Sequence, residues 1–175
     1  MVDIGGGSTE LTSIKGGFDL AKTSIPQGSL SSFANYVAGL MPTQKEVDAI
    51  AQAFRELAEK EETDVYHCTQ LYGIGGSIRS AAKLYGDLCN NGNRFNYLLP
   101  EHIDAILNRY AEDPNDFAHE ALRTLPDRIH TLIPGCVIIR EAFKLCGGER
   151  LDICKYGVRE GHLAERVLVK PVSFA

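Results

Sequence analysis

An α/β fold, a mixed sheet with helices on its faces, is what this 175-residue sequence predicts, and three observations lead there. The segment up to Ile25 carries strand-like runs separated by glycine turns, the pattern of an antiparallel meander. Beyond it, helical and strand-like segments alternate, as they do in layered α/β domains. One strand also runs straight through glycines into a helix, in Tyr72-Gly73-Ile74-Gly75-Gly76-Ser77-Ile78.

Val2 to Gly5, Glu10 to Lys15 and Asp19 to Ile25 read as strands, with Lys15-Gly16-Gly17 as the second turn. Thr43-Gln44-Lys45-Glu46 is a capping box, in which a hydroxyl and a carboxylate satisfy each other's backbone N–H groups. Val47, Ile50, Ala51, Phe54, Leu57 and Ala58 follow at helical spacing, so that helix buries one face and leaves Glu56, Glu59, Lys60, Glu61 and Glu62 to water. Strand Cys68 to Ile74 leads through glycines to a helix beginning at about Ser77. Cys89 to Asn96 is a loop by its Asn and Gly content. Pro100 opens a helix carrying Ile103, Ile106, Leu107 and Tyr110, and Phe117, Ala118, Ala121, Leu122 and Leu125 line the next. Pro134 is expected to end one helical segment and start another running to Leu145, before Gly147-Gly148. Leu151 to Tyr156 is the last strand, and Gly157 leads to a closing helix through Leu163, Ala164 and Val167.

Composition excludes several classes. A hydrophobic content of 44% suffices for one core at this length. The apolar run Cys136 to Ile139 ends at Arg140 and Glu141, and no N-terminal segment has the form of a secretory signal, so a cytoplasmic location without membrane attachment is expected. Cys68, Cys89, Cys136, Cys146 and Cys154 form no Cys-x-x-Cys pair and are odd in number, so free, mostly buried thiols are expected rather than disulfides or a zinc site. His67, His102, His119, His130 and His162 lack metal-ligand spacing and read as surface or packing residues. A net charge of -5 argues against nucleic-acid binding. A polyanion must then be held locally, by backbone amides, a cation and a few side chains such as Arg79, Arg128 or Arg159.

The run Asp3-Ile4-Gly5-Gly6-Gly7-Ser8-Thr9-Glu10 supplies such a place. Consecutive N–H groups in a glycine turn make a concave nest for an anion, and Ser8 and Thr9 add hydroxyls. Asp3 would hold a hard divalent cation such as Mg²⁺ through oxygen. An ordinary glycine hairpin is the other reading. At Gly75-Gly76-Ser77 a helix N-terminus would aim free N–H groups at an anion, or serve only tight strand-to-helix packing. Neither cluster is a dinucleotide fingerprint, because Ile78 and Glu10 stand where the third glycine is needed. No Gly-Lys-Ser or Gly-Lys-Thr marks a P-loop, and no Gly-x-Ser-x-Gly elbow makes Ser8 a hydrolase nucleophile.

Val2 to Leu11 resembles the second phosphate motif of the exopolyphosphatase and guanosine pentaphosphatase (Ppx/GppA) family. Gly73-Ile74-Gly75-Gly76-Ser77 is similar to its later glycine motif, with Ser77 where Thr is commoner. Asp127-Arg128 with Ile133-Pro134-Gly135, and then Val158-Arg159-Glu160-Gly161, resemble two further motifs in the family's order. The resemblance implies a ribonuclease-H-like domain of the actin, sugar-kinase and Hsp70 superfamily over residues 1–175. That domain corresponds to the C-terminal half of a two-domain core. The missing N-terminal half would carry another phosphate loop and the catalytic glutamate, so this domain alone is expected to be inactive.

The implied reaction is Mg²⁺-dependent hydrolysis of a terminal phosphoanhydride of inorganic polyphosphate or guanosine pentaphosphate. Asp3 would bind the metal, Gly5, Gly6, Gly7, Ser8 and Thr9 one side of the phosphates, and Gly75, Gly76 and Ser77 the other. Glu10 would orient water or metal, or be an outward-facing structural residue. Arg128 and Arg159 are expected in structural salt bridges ahead of substrate contacts. An ATP-binding kinase-like half of the same superfold and a noncatalytic phosphate or alarmone sensor are the alternatives. Apolar surface exposed at an open cleft also makes a homodimer an expected assembly.

Overall fold

The computed structural model describes residues 1–61, 66–89 and 92–168, apart from the side chains of 158, 159, 167 and 168. Its strands are β1 (Val2–Ile4), β2 (Thr9–Lys15), β3 (Phe18–Ile25), β4 (Gln70–Ile74), β5 (Tyr97–Leu98) and β6 (Arg150–Ile153). They form one sheet in the order β3-β2-β1-β4-β6-β5. β1, β2 and β3 make the expected antiparallel meander, while β1, β4 and β6 run parallel and β5 closes the edge antiparallel to β6. The helices are α1 (Ser29–Tyr36), α2 (Gln44–Ala58), α3 (Gly76–Cys89), α4 (Pro100–Glu112), α5 (Pro114–Thr124), α6 (Ile129–Cys146) and α7 (Val158–Leu163), the last continued by a π-helical turn over Ala164–Leu168.

Strand alternation sends Val2, Ile4, Leu11 and Ile25 into the core. α6 carries Ile133, Val137, Ile138 and Ile139, all 0% exposed, so it is apolar on nearly every side and forms the centre around which α1, α2, α3 and α4 pack. α2 starts with the predicted capping box, in which Thr43 N–H donates to Glu46 Oε2 at 2.7 Å and Glu46 N–H to Thr43 Oγ1 at 3.4 Å. Asp113 caps α5 through the amides of Asn115 and Asp116. Buried Glu141 of α6 accepts from Arg55 of α2 and from Lys144, each at 2.9 Å. Burial pushes its carboxyl up, but these two cations outweigh that and hold it below the usual range.

Four expectations are corrected. Pro134 does not break α6: it lacks only the N–H that would reach the His130 carbonyl, and the buried packing of Ile133, Val137 and Ile138 carries the helix through. The last strand stops at Ile153 rather than Tyr156, because its neighbour β4 ends at Ile74 and turns away at Gly75. α1 and β5 lie where no element was predicted. The thiols are all free, with Cys136 and Cys146 buried but Cys68 and Cys89 exposed. Burial pushes Cys136 up to about 12. Glu56, Glu59, Lys60 and Glu61 are exposed as expected, whereas Glu62, Asn90 and Asn91 lie outside the described residues. Among the described residues, no helix is long and apolar enough to cross a membrane.

His102 on α4 is 6% exposed and stacks on Tyr85 with ring centroids 4.0 Å apart. Burial holds its pKa below the usual histidine value, against a smaller opposite pull from Glu101. The unfolded chain therefore takes up this proton first as pH falls. Stability present above about pH 6.5 is lost as pH drops towards the folded pKa and levels off below it, with a slope of at most ~1.4 kcal/mol per pH unit. Denaturant midpoints between about pH 8 and about pH 5 should fall accordingly, and His102→Phe should flatten that profile. A variant with the wild-type profile would show that His102 is not the titrating group.

Candidate active site

Both glycine turns lie at the carboxyl ends of parallel neighbours, β1 and β4, where Asp3 pairs in register with Ile74. They border a cleft of about 380 Å³. Of the predicted site residues, Asp3, Gly5, Gly6, Gly75, Gly76 and Ser77 line it, and Gly7, Ser8, Thr9 and Glu10 do not. The remaining walls come from Ile4, from Ser29 and Leu30 of α1 and from Asp127, Arg128, His130 and Thr131. His130 lines the cleft while also packing on Phe33 of α1.

The first turn is held from behind. Ser29 N–H donates to the Gly5 carbonyl at 3.0 Å, and Leu30 and Ser31 N–H to the Gly6 carbonyl at 2.9 and 2.8 Å. Ser31 Oγ donates to the Gly7 carbonyl at 3.3 Å. Every described peptide is trans, so fixing a carbonyl on one side turns the N–H of the next residue to the other. The amides of Gly6, Gly7 and Ser8 thus point away from α1, and none has a backbone acceptor among the described residues. Gly5 N–H is taken by the Ser8 carbonyl at 3.0 Å, and the Thr9 hydroxyl is turned into the core, where it donates to the Gln27 carbonyl at 2.7 Å. The available array is therefore Gly6 to Ser8, narrower than the predicted Gly5 to Thr9.

The second turn depends on Gly75, whose φ of 106° is a left-handed conformation and whose Cβ position would lie 2.9 Å from Asp3 Oδ1. A side chain there would meet both barriers at once. α3 begins directly after it, so its first-turn N–H groups face the cleft without helical acceptors. Ser77 Oγ donates to Ser29 Oγ at 3.2 Å, tying the starts of α3 and α1 together, and Gly135 of α6 packs beside both serines.

Asp3 and Glu10 are cross-strand partners on one face of the sheet. Glu10 Oε1 accepts from the Ser8 hydroxyl and from Ser24 Oγ at 3.2 Å. Burial, then the neighbouring Glu10 charge, raises the Asp3 carboxyl above its ordinary value, with Arg79 pulling it down. A partly buried carboxylate repelled by a second one suits a hard cation. Among the described residues no cluster of three metal-ligating side chains exists, so any Mg²⁺ would draw on Asp3, with Glu10 beside it, and otherwise on water and phosphate oxygens. Arg128 makes no ion pair among the described residues, against the expected salt bridge. Its guanidinium lies beside Gly76, 2.6 Å from that residue's Cβ position. The Arg159 side chain lies outside the described residues.

A sequence model of the Ppx/GppA phosphatase family matches residues 1–170. The structure is similar to an Aquifex aeolicus Ppx/GppA family member (TM-score 0.76, 24% identity), covering 95% of this chain and 55% of that one. It is also similar to an exopolyphosphatase from Cytophaga hutchinsonii (TM-score 0.75, 17% identity), covering 93% and 54% respectively. This chain thus spans a little over half the length of those proteins, and the fold is that of the actin-like, ribonuclease-H-like domains expected. A search of curated proteins found no significant match.

Gly76→Ala tests the guanidinium's place in the cleft. The new methyl displaces only the mobile end of Arg128, and alanine is the better helix residue by up to ~1 kcal/mol, so the thermal midpoint should hold or rise. Calorimetric affinity for tripolyphosphate should nevertheless fall, by roughly tenfold if one charge-assisted contact is lost. Unaltered affinity would remove Arg128 from the site.

Proposed function

This chain belongs to the Ppx/GppA phosphatase family, and from that premise we propose that it is the phosphate-binding half of an exopolyphosphatase-type phosphohydrolase. The observation that carries the reading is the cleft that Gly6, the first turn of α3, Arg128 and the raised Asp3 carboxyl line together, with the amides of Gly7 and Ser8 continuing the array beside it and Arg128 in no ion pair among the described residues. The substrate is a terminal phosphoanhydride of inorganic polyphosphate or guanosine pentaphosphate. A second, amino-terminal half completes the cleft and supplies the group that activates water.

Phosphoryl transfer asks for little covalent chemistry, so positioning and charge neutralisation carry most of the catalysis. The amides of Gly6, Gly7 and Ser8 grip phosphate oxygens without moving, because α1 already fixes their peptide planes. The first turn of α3 grips from the opposite side, held in place by the Ser77 hydroxyl on Ser29 Oγ, and Arg128 adds a charge on a flexible stem that can follow the transferred phosphoryl. Mg²⁺, when bound at Asp3, would supply charge neutralisation on the phosphate oxygens. Glu10 serves Asp3 indirectly: its bonds to Ser8 and Ser24 hold a second negative charge near the cation position.

Calorimetric titration of this chain with tripolyphosphate in Mg²⁺ should show saturable binding that Asp3→Ala weakens at least about tenfold. ATP should bind no more tightly than tripolyphosphate, since no adenosine contact enters the reading. Equal binding by wild type and Asp3→Ala would overturn the metal assignment, and a marked preference for ATP would favour a kinase-like half.

A further inference from the structure

A second pocket, of about 250 Å³, opens on the same edge of the sheet, beside the end of β6. Arg79 and Lys83, one turn apart on α3, line it together with Arg94, Phe95 and Ile153. Asp87 is the one carboxylate among its lining residues, so three cations face one anion in a chain whose net charge is -5. Lys83 is anchored, its Nζ donating to the Thr124 carbonyl at 2.7 Å. Arg79 and Arg94 are exposed and have no ion pair or hydrogen-bond partner for their guanidinium groups among the described residues. Arg79 stands two residues after Ser77 of the cleft on the same helix, and its charge also acts on Asp3.

We propose that this pocket is a second anion subsite, formed by Arg79, Lys83 and Arg94, that takes substrate phosphates lying beyond the one hydrolysed in the cleft. The inference rests on the phosphohydrolase reading above and adds to it the residues that set chain-length preference. A phosphate in the main cleft meets fixed amides, which suit one geometry. Here the donors are long side chains, two of them free, which accept repeated phosphates in varied positions and attract charge more than they orient it. Because these cations are exposed, the contribution should also weaken with salt.

The test titrates this chain, in Mg²⁺, with linear polyphosphates from triphosphate to chains several times longer. Wild type should bind the long chains at least about tenfold more tightly than triphosphate. Arg94→Glu should remove most of that ratio while leaving triphosphate affinity within about twofold, and Arg94→Lys should keep most of it. Arg123→Glu, which makes the same two-unit charge change at an exposed cation of α5 outside the pocket, controls for general charge. A ratio unchanged in Arg94→Glu, or reduced equally by Arg123→Glu, overturns the subsite while leaving the phosphohydrolase reading intact. Failure of every polyphosphate to bind overturns both. Guanosine pentaphosphate in parallel shows the source of the distal phosphate: sensitivity to Arg94→Glu with the linear chains alone assigns the pocket to polyphosphate, and sensitivity with both assigns it to any distal phosphate group.

Discussion

The grip of α1 on the carbonyls of Gly5, Gly6 and Gly7 is the constraint on which the rest of the site depends. A flexible glycine turn presents amides in many directions, and an anion must then order them at an entropic cost of about 1–2 kcal/mol per residue. With the carbonyls already held, planarity of the trans peptide decides where the N–H groups of Gly6, Gly7 and Ser8 point. The same bonds consume the first amides of α1, so its N-terminus acts as a clamp and the anion-facing helix start is that of α3. Gln27 extends the clamp inward: its carbonyl receives the Thr9 hydroxyl and its Nε2 donates to Ser32 Oγ and to the Ile50 carbonyl, each at 3.0 Å.

Electrostatics explains why the arrangement needs to be local. An acidic chain repels polyanions at long range, and that repulsion is screened beyond about 8 Å at physiological salt. Within that distance the amide dipoles, Arg128 and Arg79 dominate. Asp3 and Glu10 bring negative charge to the same edge, and the proposed cation would offset it there when phosphate arrives. Burial first, and the Glu10 charge second, hold the Asp3 carboxyl above its ordinary value.

Much of this was legible in the sequence, and the failures have physical causes. The meander, the glycine turns and the α2 cap depend on neighbours in the chain, so local pattern was enough. α1 was invisible because Gly28-Ser29-Leu30-Ser31-Ser32 is a poor helix opening by composition, and its helix begins where Gly5 and Gly6 accept its amides from across the fold. Thr9 was misplaced by one residue of strand boundary. With β2 beginning at Thr9, opposite Ile4, alternation sends Thr9 inward and leaves Ser8 and Glu10 outside. Arg128 reaches the cleft from the short turn before α6 and His130 from the first turn of α6, and although Arg128 stood among the candidate cations, no spacing in the sequence records that placement.

The two surfaces proposed to face anions differ in stiffness, and the difference matches what each would do in that reading. Hydrolysis would need one phosphate held to within a few tenths of an ångström, which backbone donors of the first glycine turn and of α3 supply and long side chains do not. Successive phosphates of a chain would instead have to be held and released as the chain shortens. Cations on flexible stems let each phosphate leave without disturbing the peptide planes in the cleft. Arg79, at the boundary, is the place where the requirements meet: its charge lowers the Asp3 carboxyl while its guanidinium stays free among the described residues. A phosphate held in the proposed outer pocket would therefore share the Arg79 charge with Asp3, while the stiff amide array of the cleft would stay as it is.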